Sequence, residues 1–282
     1  MNTLSVAGIK FQKVDAGSCF LGSNKGGWMY ASQRPRYEVR LPDFYIMELP
    51  IQYIDLEHIF ELQEQDKNGD YETIHYLETQ EVKQGFEALK DVKELLDSQR
   101  LELRLPSLSE WMHAFSRQRM KVRPGKTELL SDGPVAGNRG APMDGTPRKN
   151  TLLGPAAAQV SAIAVHPKNP TITATTSVPI DRNLPNVIAR FVLSPRRETK
   201  GPVVPHNADF RATLRSELLW MTILGIIPSF SIPILRGMQD YAISDWPNLL
   251  FGGIVAGFLS GAVWRPQRPT IHFEDGVQSE DN

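Results

Sequence analysis

Two uncharged apolar runs stand out near the C-terminal end of the chain. Leu218–Leu235 reads LLWMTILGIIPSFSIPIL and Trp246–Trp264 reads WPNLLFGGIVAGFLSGAVW. As helices they would reach roughly 27–28 Å, close to the ~30 Å hydrocarbon core of a bilayer. The pattern predicts a two-helix membrane hairpin over 216–266, spanning at 218–235 and 246–264, with the polar stretch Arg236–Asp245 as its turn. Trp220, Trp246 and Trp264 sit at the run ends, where indole rings favour the interface. Pro228 and Pro233 should kink the first helix, with Ser229, Ser231 or a neighbouring helix satisfying the freed carbonyls. The second run carries Gly253, Gly257 and Gly261 at four-residue steps, a flat face for the first helix or for another copy of the chain. Lys200, Arg211 and Arg215 precede the hairpin and Arg265 and Arg268 follow it, whereas its turn holds only Arg236. The positive-inside rule then puts both termini and the large domain in the cytoplasm. The competing reading is a buried helical hairpin in a soluble core.

The preceding residues alternate between short periods. Ile9–Val14 (IKFQKV), Cys19–Gly22, Tyr37–Leu41 (YEVRL) and Phe44–Met47 suggest strands. A helix is expected over 55–65, with Leu56, Ile59, Phe60 and Leu62 as its apolar face. A second, over 81–97, repeats Val82, Phe86, Leu89, Val92 and Leu96 at three- and four-residue steps. A third should start after Pro106, where Ser107 and Glu110 have capping-box spacing. From Arg123 to His206 the character changes: 12 of the 21 prolines lie in 124–205. Long helices are excluded there, leaving loops with short strands near 160–165 and 187–193.

Composition narrows the functional classes. Net charge is −1, so no overall field draws nucleic acid. The first thirty residues are interrupted by Lys10, Lys13, Asp15 and Lys25, and no cleavable export signal is read there. Cys19 is the one cysteine, which rules out an internal disulfide and any Cys-x-x-Cys metal site.

Arg104-Leu105-Pro106-Ser107-Leu108-Ser109-Glu110-Trp111 ends an extended segment, caps a helix and supplies a large aromatic to bury. With Val14–Ser23, Arg36–Ile46 and Ala208-Asp209-Phe210-Arg211, this stretch resembles the formylglycine-generating enzyme (sulfatase-modifying factor) family. The resemblance covers about residues 8–213 and is most specific at Arg104–Trp111. It implies an α+β, C-type-lectin-like, loop-rich domain over 1–215, with Arg104, Leu105, Pro106, Ser107, Glu110, Trp111, Phe210 and Arg211 as its fold signature. The family's oxidase branch uses a C-terminal cysteine pair to hold copper. That pair is absent here, which implies a pseudoenzyme rather than an oxidase.

Asp66, Asn68 and Asp70 alternate as in a calcium loop, but Tyr71 stands where an EF-hand needs glycine and Leu77 where it needs glutamate. A polar turn is the simpler reading, and no cofactor is expected apart from that calcium alternative. The six histidines show no metal-binding spacing. Arg190, Arg196, Arg197 and Lys200 form a basic cluster before the hairpin, suited to anionic headgroups or to a solvated loop. Residues 267–282 read as a disordered acidic tail. The expected function is a membrane-anchored, non-catalytic binding or scaffolding protein. Its partners would be the bilayer, an unidentified protein or small-molecule ligand, and a second copy through the glycine face, but not nucleic acid. The alternatives are an enzyme of the same fold with a divergent site and a calcium-modulated module.

Overall fold

The computed structural model describes residues 3–25, 28–51, 73–134, 136–206, 210–263 and 267–278. The chain has a mixed α+β architecture. Its strands are β1 (Thr3–Val6), β2 (Ile9–Val14), β3 (Gly17–Leu21), β4 (Tyr37–Leu41), β5 (Phe44–Met47), β6 (Leu101–Arg104), β7 (Thr127–Leu129), β8 (Gln159–Val165), β9 (Thr173–Pro179), β10 (Val187–Ile188), β11 (Val192–Pro195), β12 (Pro202–Val203) and β13 (Val277–Gln278). Its helices are α1 (Tyr76–Ala88), α2 (Lys90–Ser98), α3 (Leu108–Ser116), α4 (Phe210–Met221), α5 (Ile227–Leu235), α6 (Gln239–Ser244) and α7 (Trp246–Val263).

The larger sheet has the order β1-β2-β5-β11-β6. Strand β11 comes late in the chain but enters between two early strands, pairing antiparallel with both β5 and β6. Its period-two alternation separates two cores. Leu193 joins Phe11, Met47, Phe86 and Leu103 in one, under α1 and α2. Val192 joins Val14, Phe44, Ile46 and Trp111 in the other, under α3. Burying each of these side chains removes apolar surface from water, worth about 1.5–3 kcal/mol for a large aliphatic or phenyl group. The second sheet runs β10-β7-β8-β9, and β8 and β9 pair over seven residues each, from Gln159↔Pro179 to Val165↔Thr173.

The helix expected over 81–97 is two helices. Leu89 between them is extended (φ −68°, ψ 127°), serving as the C-cap of α1 and the N-cap of α2. The apolar period survives the break because Val82, Phe86, Val92 and Leu96 all bury on the same core. The strand expected over 187–193 is likewise split into β10 and β11, with Arg190 turned inward between them. The helix expected over 55–65 lies outside the described residues.

The C-terminal segment departs from the expected disordered acidic tail. Residues 267–278 lie as a strap across the domain: Arg268 N–H donates to the Asn24 carbonyl (2.7 Å), Glu38 N–H to that of Ile271 (2.9 Å) and Ile271 N–H to that of Arg36 (2.9 Å). Ile271 and Phe273 pack on the second core, and Glu274 pairs with Arg40 at 2.7 Å. Alternation of apolar Ile271 and Phe273 with polar His272 and Glu274 gives this strap an inward side that charge counting overlooks.

Residues 210–263 form a helical hairpin. One helix among the described residues is long and apolar enough to cross a membrane, Leu214–Leu235, and only 6% of its apolar window is buried. The second apolar helix, α7, runs from Trp246 to Val263, and among the described residues one span rather than the two expected meets the length and apolarity of a crossing helix. A π-turn, Thr222–Ile226, interrupts the first helix just before Pro228, which has no N–H to give the preceding turn. Ser229 Oγ donates to the Ile226 carbonyl at 2.8 Å. The turn sets Gly225 against α7, where a Cβ would run into the backbone of Gly253 and Gly257. A Cβ on Gly253 would lie 2.7 Å from Ser229 Oγ, and one on Gly257 2.8 Å from the Met221 carbonyl. The face of Gly253 and Gly257 is therefore occupied by the chain's own first helix. Gly261 lies one turn further along α7. The outer surface of the hairpin is apolar and exposed, including Leu218, Leu219, Ile223, Ile227, Phe251, Phe258 and Leu259.

Candidate functional site

Arg104 closes β6, and the chain turns into α3 through buried Leu105 and Pro106. Ser107 caps the helix: its Oγ accepts from Glu110 N–H (3.3 Å), while Glu110 accepts from Ser107 N–H (2.8 Å). The same Glu110 receives both forks of Arg104, Nη1 to Oε2 at 2.7 Å and Nη2 to Oε1 at 2.8 Å. Burial works against the Arg104 charge, but Glu110 and Glu102 outweigh it and hold the guanidinium above its ordinary value. The signature residues 104–111 thus lock a strand to a helix and present nothing reactive to solvent. Arg211 lies exposed on α4; Phe210 begins that helix.

Trp111 leads to a hub that sequence reasoning missed. Its Nε1 donates to Glu128 Oε2 at 2.8 Å. Arg190 donates to the same carboxylate through Nε and Nη2, both at 2.6 Å. Its remaining donors reach the carbonyls of Met47 (3.1 Å), Glu48 (3.3 Å) and Lys121 (2.9 Å). Both partners of the ion pair are fully buried. Arg190 is therefore an internal tie between the two sheets and leaves the basic cluster in which its sequence position placed it. The one available signal was an arginine flanked by Ala189 and Phe191, within a buried apolar run. Arg196 also leaves the cluster, pairing with Asp97 at 3.1 Å.

Arg197 and Lys200 remain together, and the fold brings other cations to them. The loop-rich region holds a cleft of about 870 Å³ lined by Arg34, Arg139, Arg148, Lys149, Arg197, Lys200 and His206, with Glu198 as the one acidic lining residue among the described residues. Its floor is a short backbone pairing: Gly140 N–H donates to the Val204 carbonyl (2.8 Å), Val204 N–H to that of Ala141 (2.9 Å) and Met143 N–H to that of Pro202 (2.9 Å). Gly140 has φ +71°, and a Cβ there would meet the His206 ring at 2.6 Å, so glycine is what lets the imidazole lie over this turn. Arg148 is steadied by Asn138 Oδ1 (3.2 Å) and by the Gly137 carbonyl. Burial draws its guanidinium below the ordinary value, with Tyr37 and Asp132 opposing. Arg197 pairs with Asp144 at 3.1 Å, yet its Nη2 is buried without a hydrogen-bond partner.

A neighbouring cleft of about 740 Å³ shares Pro142, Thr146 and Arg148 with the first. It is more mixed, bordered by Phe20, Met112 and the Thr-rich face of β9. Asp132 lies in its wall, accepting from the N–H groups of Leu108 (2.5 Å) and Arg148 (2.7 Å). Burial raises the Asp132 carboxyl despite those two bonds.

The remaining titratable groups are dispersed. Burial pushes the Cys19 thiol up to about 12, and its Sγ faces the Ser109 carbonyl at 3.7 Å. His113 is buried against the Asp15 carbonyl (3.2 Å), and His272 lies beside Glu38 (3.3 Å). Among the described residues no three His, Cys, Asp or Glu side chains converge on a common point. Asp66, Asn68 and Asp70 lie outside the described residues.

No family model and no curated protein matches this chain. Among solved structures it is similar to PvdO from Pseudomonas aeruginosa, at 10% identity over 68% of this chain and 97% of that one, with a TM-score of 0.49. It is also similar to variable protein 1 of Treponema denticola, at 11% identity over 68% of this chain and 98% of that one, with a TM-score of 0.43.

Proposed function

We propose that this protein is a membrane-tethered, non-catalytic binding module whose basic cleft holds an anionic ligand. The domain before the hairpin is read as a degenerate formylglycine-generating-type, lectin-like unit, on the strength of the Arg104–Trp111 stretch. The hairpin is read as two spans with both termini on the cytoplasmic side.

The observation that carries the proposal is the charge of the cleft: among the described residues, six Lys or Arg side chains and His206 line it, with Glu198 as the acidic member. Like charges gathered in one concavity raise each other's energy, and low-dielectric walls focus their field. Asp144, at the cleft's margin, offsets part of that charge through Arg197. Arg34, Arg139 and Lys200 also have partners, and an anion that accepts from several of these donors adds to that compensation. Arginine suits the role, since its planar fork meets carboxylate or phosphate oxygens in pairs. The support is rigid: the 139–143 turn is pinned to 202–204 by backbone bonds, and Arg148 by Asn138.

The test is the thermal stability of the full-length chain in neutral detergent, with and without inorganic pyrophosphate. A ligand that binds only the folded form stabilises it by about 2.7 kcal/mol at a hundred times Kd. A concentration-dependent rise in Tm is expected, abolished in R139Q/K149Q. An unchanged Tm across millimolar pyrophosphate contradicts the proposal.

A further inference from the structure

The two walls of the basic cleft are each joined to the helical hairpin. One wall is the segment carrying Lys200, Gly201, Val203 and His206. Helix α4 begins four residues after His206, a distance that an extended chain spans in at most about 14 Å. The other wall holds Arg34. That residue immediately follows the 3₁₀ turn Trp28–Gln33, which packs against α7. The strap after α7 closes the arrangement from behind. Arg268 N–H bonds the Asn24 carbonyl at 2.7 Å, and its guanidinium, 7% exposed, approaches Glu217 of α4 at 3.7 Å. Two of its nitrogens, Nε and Nη2, are buried without a hydrogen-bond partner. Arg268 therefore stands beside Glu217, the last charged residue before the uncharged stretch that begins at Leu218.

From this placement we infer that the ligand of the basic cleft is the phosphate-bearing headgroup of an anionic lipid, drawn from the same bilayer that holds the hairpin. The inference rests on the anion-binding reading above and adds the source of the anion. The eight residues Phe210–Glu217 rise about 12 Å along the helix, comparable with the thickness of a headgroup layer, since bilayers measure ~40–45 Å overall against ~30 Å of hydrocarbon. A tether that short keeps the cleft beside the surface, where lipid phosphates are abundant and soluble anions must compete. Phosphate fits the lining, because its oxygens can accept from several forks and ammonium groups at once, which a single carboxylate cannot do. The Arg197 guanidinium, held by Asp144 at 3.1 Å, supplies a fixed fork in the cleft wall.

Full-length protein in neutral detergent is titrated with dihexanoyl phosphatidic acid, dihexanoyl phosphatidylcholine and inorganic pyrophosphate, following binding by thermophoresis. The phosphatidic acid is expected to bind and the phosphatidylcholine not. R139Q/K149Q/K200Q should weaken phosphatidic acid binding by about a hundredfold, each cation near an anionic surface being worth about fivefold. Its circular dichroism melt should match that of the unaltered chain, which separates lost binding from lost folding. If pyrophosphate binds through these residues and phosphatidic acid does not, the lipid inference is overturned while the anion-binding reading stands. If neither binds, both fall. If phosphatidic acid binds equally well to the triple variant, it is held elsewhere and the inference is overturned.

Discussion

The strongest commitments in this fold are made by single buried charges. Glu128 and Arg190 are wholly out of water, yet every donor of the guanidinium meets an oxygen. Such a pair adds little net stability compared with apolar residues of the same shape, but breaking it strands a charge. Glu128→Gln should therefore cost about 3–5 kcal/mol in chemical denaturation of the full chain. The double change Glu128→Leu with Arg190→Met should cost markedly less. A single variant as stable as the parent would show that Arg190 is not held as described. The contrast with Arg104 shows what sequence can reveal at this scale. Arg104 finds Glu110 six positions away, within a motif whose capping spacing is readable. Arg190 finds Glu128 across 62 positions, and no local pattern encodes that meeting. The basic cluster before the hairpin was visible in sequence, but membership was not. Arg190 and Arg196 leave it, while Arg34, Arg139, Arg148 and Lys149 join from elsewhere.

Among the elements, period and capping were the reliable signals. Strands β2, β4, β5 and β8 and helix α3 lie where alternation and the Ser107–Glu110 box put them. Breaks inside a continuing period were hidden: Leu89 divides one apolar face between two helices without altering its spacing. Strand β9 was missed because most of its side chains are exposed polar or small residues, so its seven-residue pairing with β8 rests on backbone bonds. The C-terminal strap was hidden by its own acidity. Its docking has a pH signature through Glu38. Burial alone would raise that carboxyl, but the Phe273 N–H, His272 and Arg40 together bring it below its ordinary value of 4.5. A carboxyl depressed in the folded state stabilises that state above its unfolded pKa, and the contribution is lost as pH falls through the folded value. The protection factors of the Ile271 and Phe273 amides, exchange rates corrected for the intrinsic pH dependence, should thus be high and constant at neutral pH and should fall below about pH 4.5. Glu38→Gln should lower them at neutral pH as well. Protection indifferent to both changes would contradict a strap held at Glu38.

At the scale of the whole molecule, two surfaces of opposite character meet. The hairpin turns a ring of large aliphatic and aromatic side chains outward, far more than a water-soluble surface ordinarily exposes in one patch. Its inner face is closed by glycine, with Gly225, Gly253 and Gly257 letting the two backbones touch. The domain carries a cleft lined by cations from three separate stretches of chain, 34, 139–149 and 197–206. A tether that places a basic cleft against lipid is one arrangement that accounts for both surfaces. The hairpin itself was the most legible part of the sequence, because a run of uncharged apolar residues needs no partner to be recognised. The cleft was illegible, because its lining is assembled from loops that share no period.

The account depends on lipid covering the hairpin. Membranes from cells expressing the full-length chain, washed at alkaline pH in carbonate and pelleted, test this directly. The chain should remain in the pellet and be released by neutral detergent as a folded species. Recovery of folded, monodisperse protein in the carbonate supernatant would contradict the tether, and with it the placing of the cleft at a bilayer surface.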